Sequence, residues 1–91
     1  ASIWFDARVK AWIVAVYDAD EKRLTYAEQV RKISGKTTAD ELKEAVAIAE
    51  AKNADKIHVI VDMLAAKDLE AVQKAADELR ASNDKVEVHN E

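Results

Sequence analysis

Cysteine and proline are absent from this chain, and glycine occurs once, at Gly35. Without cysteine there is no disulfide framework and no thiolate metal site. Average usage, about 7% Gly and 5% Pro, would place roughly ten of those two residues in a chain this long. Loops normally collect them because turns need a positive or a fixed φ. Aromatic residues make up only 5%, and no apolar run approaches the ~18 residues of a membrane span. No signal-peptide pattern opens the sequence, so the expectation is a cytoplasmic chain when it is expressed recombinantly. Basic charge is also short: 14 Lys and Arg face 18 Asp and Glu, for a net charge of −4. The local basic spots, Lys22 with Arg23 and Arg31 with Lys32, have acids nearby. That argues against nucleic acid as a partner, because phosphate binding grows with the number of cations that neutralise it.

What is present describes one small domain spanning residues 1–91. The chain is 49% apolar and 35% charged, enough apolar surface to offset the ordering entropy of a single core. It contains 18 alanines. A chain that nearly avoids Gly and Pro and fills its helices with Ala, Glu, Lys and Leu reads as an engineered, de novo designed scaffold.

Period two marks the first strands. Every odd position from Ile3 to Tyr17 is apolar, which predicts strands over about 2–8 and 11–17. The intervening Arg8-Val9-Lys10 has no Gly, Asn or Asp to signal a turn, so one long bent strand over 3–17 is also open. Asp18-Ala19-Asp20-Glu21 suits a hairpin loop. The segment 23–31 follows, where the Thr25 and Glu28 spacing would allow a short helix, but Thr, Tyr and Val favour a strand. Thr38-Ala39-Asp40-Glu41 has the spacing of a capping box and opens a helix to about Asn53, with Leu42, Ala45, Val46 and Ala49 on its core stripe. Residues 56–61 form a nearly all-apolar run typical of a central strand. A second helix spans about 66–82 with Leu69, Val72, Ala76 and Leu79 at helical spacing, and Val86-Glu87-Val88 is the last strand.

The order β-β-β-α-β-α-β, with right-handed crossovers, gives a two-layer α/β fold. It has a five-stranded mixed sheet in order 3-2-1-4-5 and both helices on one face. The rows Ile3, Phe5, Val9 and Ile57, Val59, Val61 are expected to face the helices. The opposite face would then carry Trp4, Trp12, Val14, Val16 and Ile60, an apolar surface suited to self-association or a partner.

Several phrases resemble the ribonuclease H-like family. Phe5-Asp6-Ala7 is similar to its first strand, Val16-Tyr17-Asp18-Ala19-Asp20 to the end of its second and the hairpin. Thr37-Thr38-Ala39-Asp40-Glu41-Leu42 resembles the start of its first helix, Val59-Ile60-Val61-Asp62 its fourth strand, and Val86-Glu87-Val88-His89 its last. The resemblance implies a ribonuclease H-like topology and, position by position, Asp6, Glu41 and Asp62 as carboxylates holding Mg²⁺ for cleavage of the RNA strand of a hybrid. Two hard cations about 4 Å apart need such clustered oxygens. Ala7 stands where the family has Gly, Met63 where it usually has Ser, and the family's terminal helix and basic substrate-gripping segments have no counterpart in these 91 residues.

Each of the three acids also has an ordinary reading. Glu41 is the partner in a capping box, Asp62 an N-cap or loop residue, and Asp6 a solvated partner of Arg8. Parity places Asp6 and Asp62 on the open side of the sheet, away from Glu41. His58 and His89 would face the same way on neighbouring strands and read as plain surface residues, because a zinc pair needs a third ligand and none is obvious. Gly35-Lys36-Thr37 lacks the first glycine of a phosphate loop, which would fall at Val30. No Ser-His-Asp or Cys-His arrangement is present. The reading is therefore a scaffold with no catalytic site and no cofactor, with a minimal Mg²⁺ nuclease and a self-associating module as the alternatives.

Overall fold

The computed structural model describes residues 1–31 and 35–91; Lys32, paired above with Arg31 as a basic spot, lies outside the described residues. The elements are β1 (Ser2–Asp6), β2 (Ala11–Tyr17), β3 (Leu24–Val30), α1 (Thr38–Ala51), β4 (Ile57–Val61), α2 (Ala66–Ser82) and β5 (Val86–Asn90). They form a five-stranded mixed sheet in order β3-β2-β1-β4-β5. β1 pairs antiparallel with β2 and parallel with β4, and β4 pairs parallel with β5. Both crossovers run through helices, as parallel neighbours require.

One core lies between the helices and a single face of the sheet. Leu42, Ala45, Val46 and Ala49 of α1 and Val72, Ala75 and Ala76 of α2 are buried against Ile3, Trp12, Val14, Ile57, Val59 and Val61. The small alanines let α1 and α2 lie close to the sheet, so the core is built from β-branched strand residues and short helix residues. Leu69, placed above on the α2 core stripe, is instead 41% exposed.

The first two strands are separate, and the register between them corrects the expected faces. Ile3 pairs with Val14 and Phe5 with Trp12. Paired residues of an antiparallel ladder point to the same side, and each of these pairs joins an odd position to an even one. Parity thus flips between β1 and β2. Trp12, Val14 and Val16 face the helices and are buried, Trp12 and Val14 completely; they do not belong to the open face. Trp4 and Ile60 do, and pair with each other. Ile13, cross-strand neighbour of Trp4, joins them. Val9, expected in the helix-facing row, lies in the turn and is 48% exposed.

Turns that would normally use glycine are made without it. Lys10, Glu21, Asn53 and Met63 all have φ between 54° and 63°, the left-handed region that costs most side chains roughly 1–2 kcal/mol. Asn53 is a favoured type there. It follows the α1 C-cap, where the Ala54 amide donates to the Ala49 carbonyl and the Asn53 amide to that of Glu50, the Schellman pattern.

The amino end of α1 starts one residue earlier than its capping-box spacing suggests. Thr37 is the N-cap and Asp40 its reciprocal partner, with the Thr37 amide donating to the Asp40 carboxylate at 3.1 Å and the Asp40 amide to Thr37 Oγ1 at 3.2 Å. The Thr37 amide and then its hydroxyl hold the Asp40 carboxyl below its ordinary pKa. A depressed folded-state value contributes stability above the unfolded pKa of about 3.9 and loses it as pH falls through the folded value. Asp40→Asn is therefore expected to destabilise the protein at neutral pH, with the difference from wild type closing in acid. Urea midpoints measured from pH 7 down to pH 2 check this.

Candidate functional site

Three places concentrate polar side chains. The first is the carboxyl end of β1 and β4, where Asp6 and Asp62 border one groove together with Trp4, Arg8, Ile60 and Met63. The chain leaves β1 into the turn 7–10, and Asp6 holds that turn. Its Oδ1 accepts from the Arg8 amide at 2.9 Å, and its carboxylate meets the Arg8 guanidinium at 3.4 Å. The Arg8 side chain, then its amide, keep the Asp6 carboxyl below its ordinary pKa. Asp62 is half-buried in the connection from β4 to α2. It does not cap that helix: the N-cap is Ala65, and no side chain bonds the first-turn amides.

The second place lies across Phe5, Ala7 and Met63 from the first. There Glu41 borders a groove with Lys10, Lys36, Thr37, Thr38, Lys67 and Asp68. Glu41 is the buried charged residue among those described, 3% exposed. It is not the capping-box partner, a role Asp40 fills. It lies in the first turn of α1, at the positive end of the helix dipole. Asp6 and Asp62 are thus brought to one groove and Glu41 to another. These three carboxylates do not make a ligand cluster among the described residues, whereas three other side chains do.

That cluster is the third place. His58, Glu87 and His89 stand on the open face of β4 and β5, where the parallel register pairs His58 with Glu87 and Ile60 with His89. His58 Nδ1 lies 3.1 Å from His89 Nε2 and 3.1 Å from Glu87 Oε2. One ligand atom from each of the three residues falls within 4.8 Å of the others. The two rings are tilted at 45° with centroids 5.2 Å apart. The opposite nitrogen of His58, Nε2, faces the Glu21 carboxylate at 3.6 Å, brought over the sheet by the β2–β3 loop. His58 is half-buried, while Glu87 and His89 are exposed.

Sequence reasoning missed the third member of this group, although its signal was there. Glu87 and His89 are two residues apart in a strand, so period two alone puts both on the face that His58 occupies. Glu21 carried no such signal, because its approach depends on how the hairpin loop folds back. No protein-family model matches the chain, and no curated protein or solved structure matches it either.

Proposed function

We propose that this chain is an engineered α/β scaffold with a ribonuclease H-like topology and no catalytic activity of its own. The observation that carries the reading is that Asp6, Glu41 and Asp62 make no ligand cluster among the described residues, Asp6 and Asp62 bordering one groove and Glu41 an adjoining one. Two-metal hydrolysis needs its carboxylates converging on a metal pair about 3.5–4 Å apart. Asp6 is moreover engaged by Arg8 within its own turn, a structural use that offsets the charge a Mg²⁺ ion would need. The near-absence of Gly and Pro and the alanine-built helix interface agree with an engineered origin.

Incubation with an RNA–DNA hybrid and Mg²⁺ tests the reading. Product formation is expected to equal that of a heat-denatured sample. Metal-dependent cleavage well above that control, abolished by Asp6→Asn and Asp62→Asn, would establish the nuclease instead.

Self-association is a second reading, favoured by the sheet face that no helix covers. Its apolar members are Trp4, Ile13 and Ile60, not the β2 residues that pack against the helices. Sedimentation velocity showing only monomer at high concentration would remove it.

A further inference from the structure

The geometry points to a binding site for a borderline divalent metal ion, Zn²⁺ above all, held by His58 Nδ1, His89 Nε2 and one carboxylate oxygen of Glu87 on the open face of β4 and β5. It rests on the strand register and the side chains there, and stands whether or not the scaffold reading holds.

Convergence is the first argument. His58 Nδ1 has His89 Nε2 and Glu87 Oε2 each at 3.1 Å, and one ligand atom from each of the three residues lies within 4.8 Å of the others. Imidazole nitrogens and a carboxylate oxygen can all present lone pairs to one point. A cation at that point is ligated by all three.

Size is the second argument. Zinc bonds to imidazole nitrogen and carboxylate oxygen of about 2.0–2.2 Å in a tetrahedron set neighbouring donors about 3.3–3.5 Å apart. The two 3.1 Å separations from His58 Nδ1 need to open by only a few tenths of an ångström to match, and the third, between His89 and Glu87, lies within 4.8 Å. His58, Glu87 and His89 come from adjacent strands in fixed register, so backbone hydrogen bonds already hold their Cα positions and little ordering remains to be done on binding.

The third argument is the far side of His58. Histidines that ligate metals usually donate their other ring N–H to a carboxylate, which fixes the tautomer and the ring orientation. Glu21 stands by Nε2 at 3.6 Å, just beyond hydrogen-bond distance, and a small side-chain adjustment would bring its carboxylate into that outer-shell position. Three protein ligands leave a fourth position for water. Two imidazoles and one carboxylate suit Zn²⁺, Co²⁺, Ni²⁺ or Cu²⁺ and not Mg²⁺, which keeps to oxygen.

Titration of the tag-free 91-residue chain with ZnCl₂ in a calorimeter is the test, supported by the visible spectrum of the Co²⁺ form. The expected result is one ion per chain, a tetrahedral Co²⁺ spectrum, no displacement by excess Mg²⁺, and a rise in melting temperature as β5 is tied to β4. His89→Ala and His58→Ala should each weaken binding by at least about 100-fold, and Glu21→Gln by about 10-fold, the range seen for outer-shell partners. Far-UV circular dichroism checks that each variant folds, which the exposed positions of His89 and Glu21 favour. No zinc heat in wild type, zinc binding that survives the His58→Ala/His89→Ala double variant, or a weak octahedral Co²⁺ spectrum would each overturn the site.

Discussion

Trp12→Ala is expected to cost about 3–5 kcal/mol, the range for truncating a fully buried tryptophan. Trp12 is the largest completely buried side chain among the described residues. It sits where three elements meet. Its ring packs edge-to-face on Phe5 of β1 with centroids 5.5 Å apart at 74°, and its ladder partner on β3 is Val30. Its indole N–H donates to the Thr38 carbonyl at the start of α1, at 3.0 Å. Truncation therefore leaves a cavity under the first turn of α1 and removes a hydrogen bond that ties the helix to the sheet. Against a total stability of about 5–14 kcal/mol for a chain of this length, that is a large fraction. Trp12→Phe separates the two contributions. It keeps most of the apolar contact and loses the indole donor, which should cost about 1–3 kcal/mol. Urea unfolding followed by far-UV circular dichroism gives both values, with a shifted midpoint and an unchanged slope expected for each.

The place of Trp12 is also where sequence and structure part. The helices, β4 and the order of the sheet were legible because each rests on a local period and a strongly constrained crossover rule. Leu42, Ala45, Val46 and Ala49 repeat at helical spacing and all four are buried. The face of β2 was not legible from alternation alone, since both of its rows are apolar. Its face is set by the register of the β1–β2 hairpin, and that depends on a turn whose left-handed residue is Lys10, not a glycine. The one clue was Trp12, larger than any member of the other row, Ala11, Ile13, Ala15 and Tyr17. The capping box shows the same limit at smaller scale. Thr37 and Thr38 are adjacent, Asp40 and Glu41 are adjacent, and spacing alone fits both pairs, whereas the structure uses the first. Glu41, relieved of the cap, is then the buried carboxylate of the described chain.

The scarcity of glycine also reads differently in the folded protein. It does not mean that the turns avoid positive φ, since Lys10, Glu21, Asn53 and Met63 all adopt it. Three of these four are side chains that carry a steric cost there. Met63, which follows Asp62 at the end of β4, is 68% exposed and borders both carboxylate grooves.

The parity flip between β1 and β2 makes the second large prediction, a contrast between neighbours. Val14→Asp is expected to leave the chain predominantly unfolded, while Ile13→Asp should cost only about 1 kcal/mol. Val14 is completely buried, paired with Ile3 and facing the helices. Losing its burial costs about 1.5–3 kcal/mol, and placing an unpaired carboxylate there adds several more. Together these rival the whole stability of the domain. Ile13 is half-buried on the opposite face, between Trp4 and Gln29, where a carboxylate keeps contact with water. Aspartate is the useful probe because its side chain is too short to reach solvent from beneath a helix, as lysine does. Amide proton–nitrogen correlation spectra distinguish the two outcomes directly: dispersed for Ile13→Asp, collapsed for Val14→Asp. The reverse pattern would mean that β2 presents its odd row to the helices, and with it the β1–β2 register and the composition of the open face would both have to be redrawn.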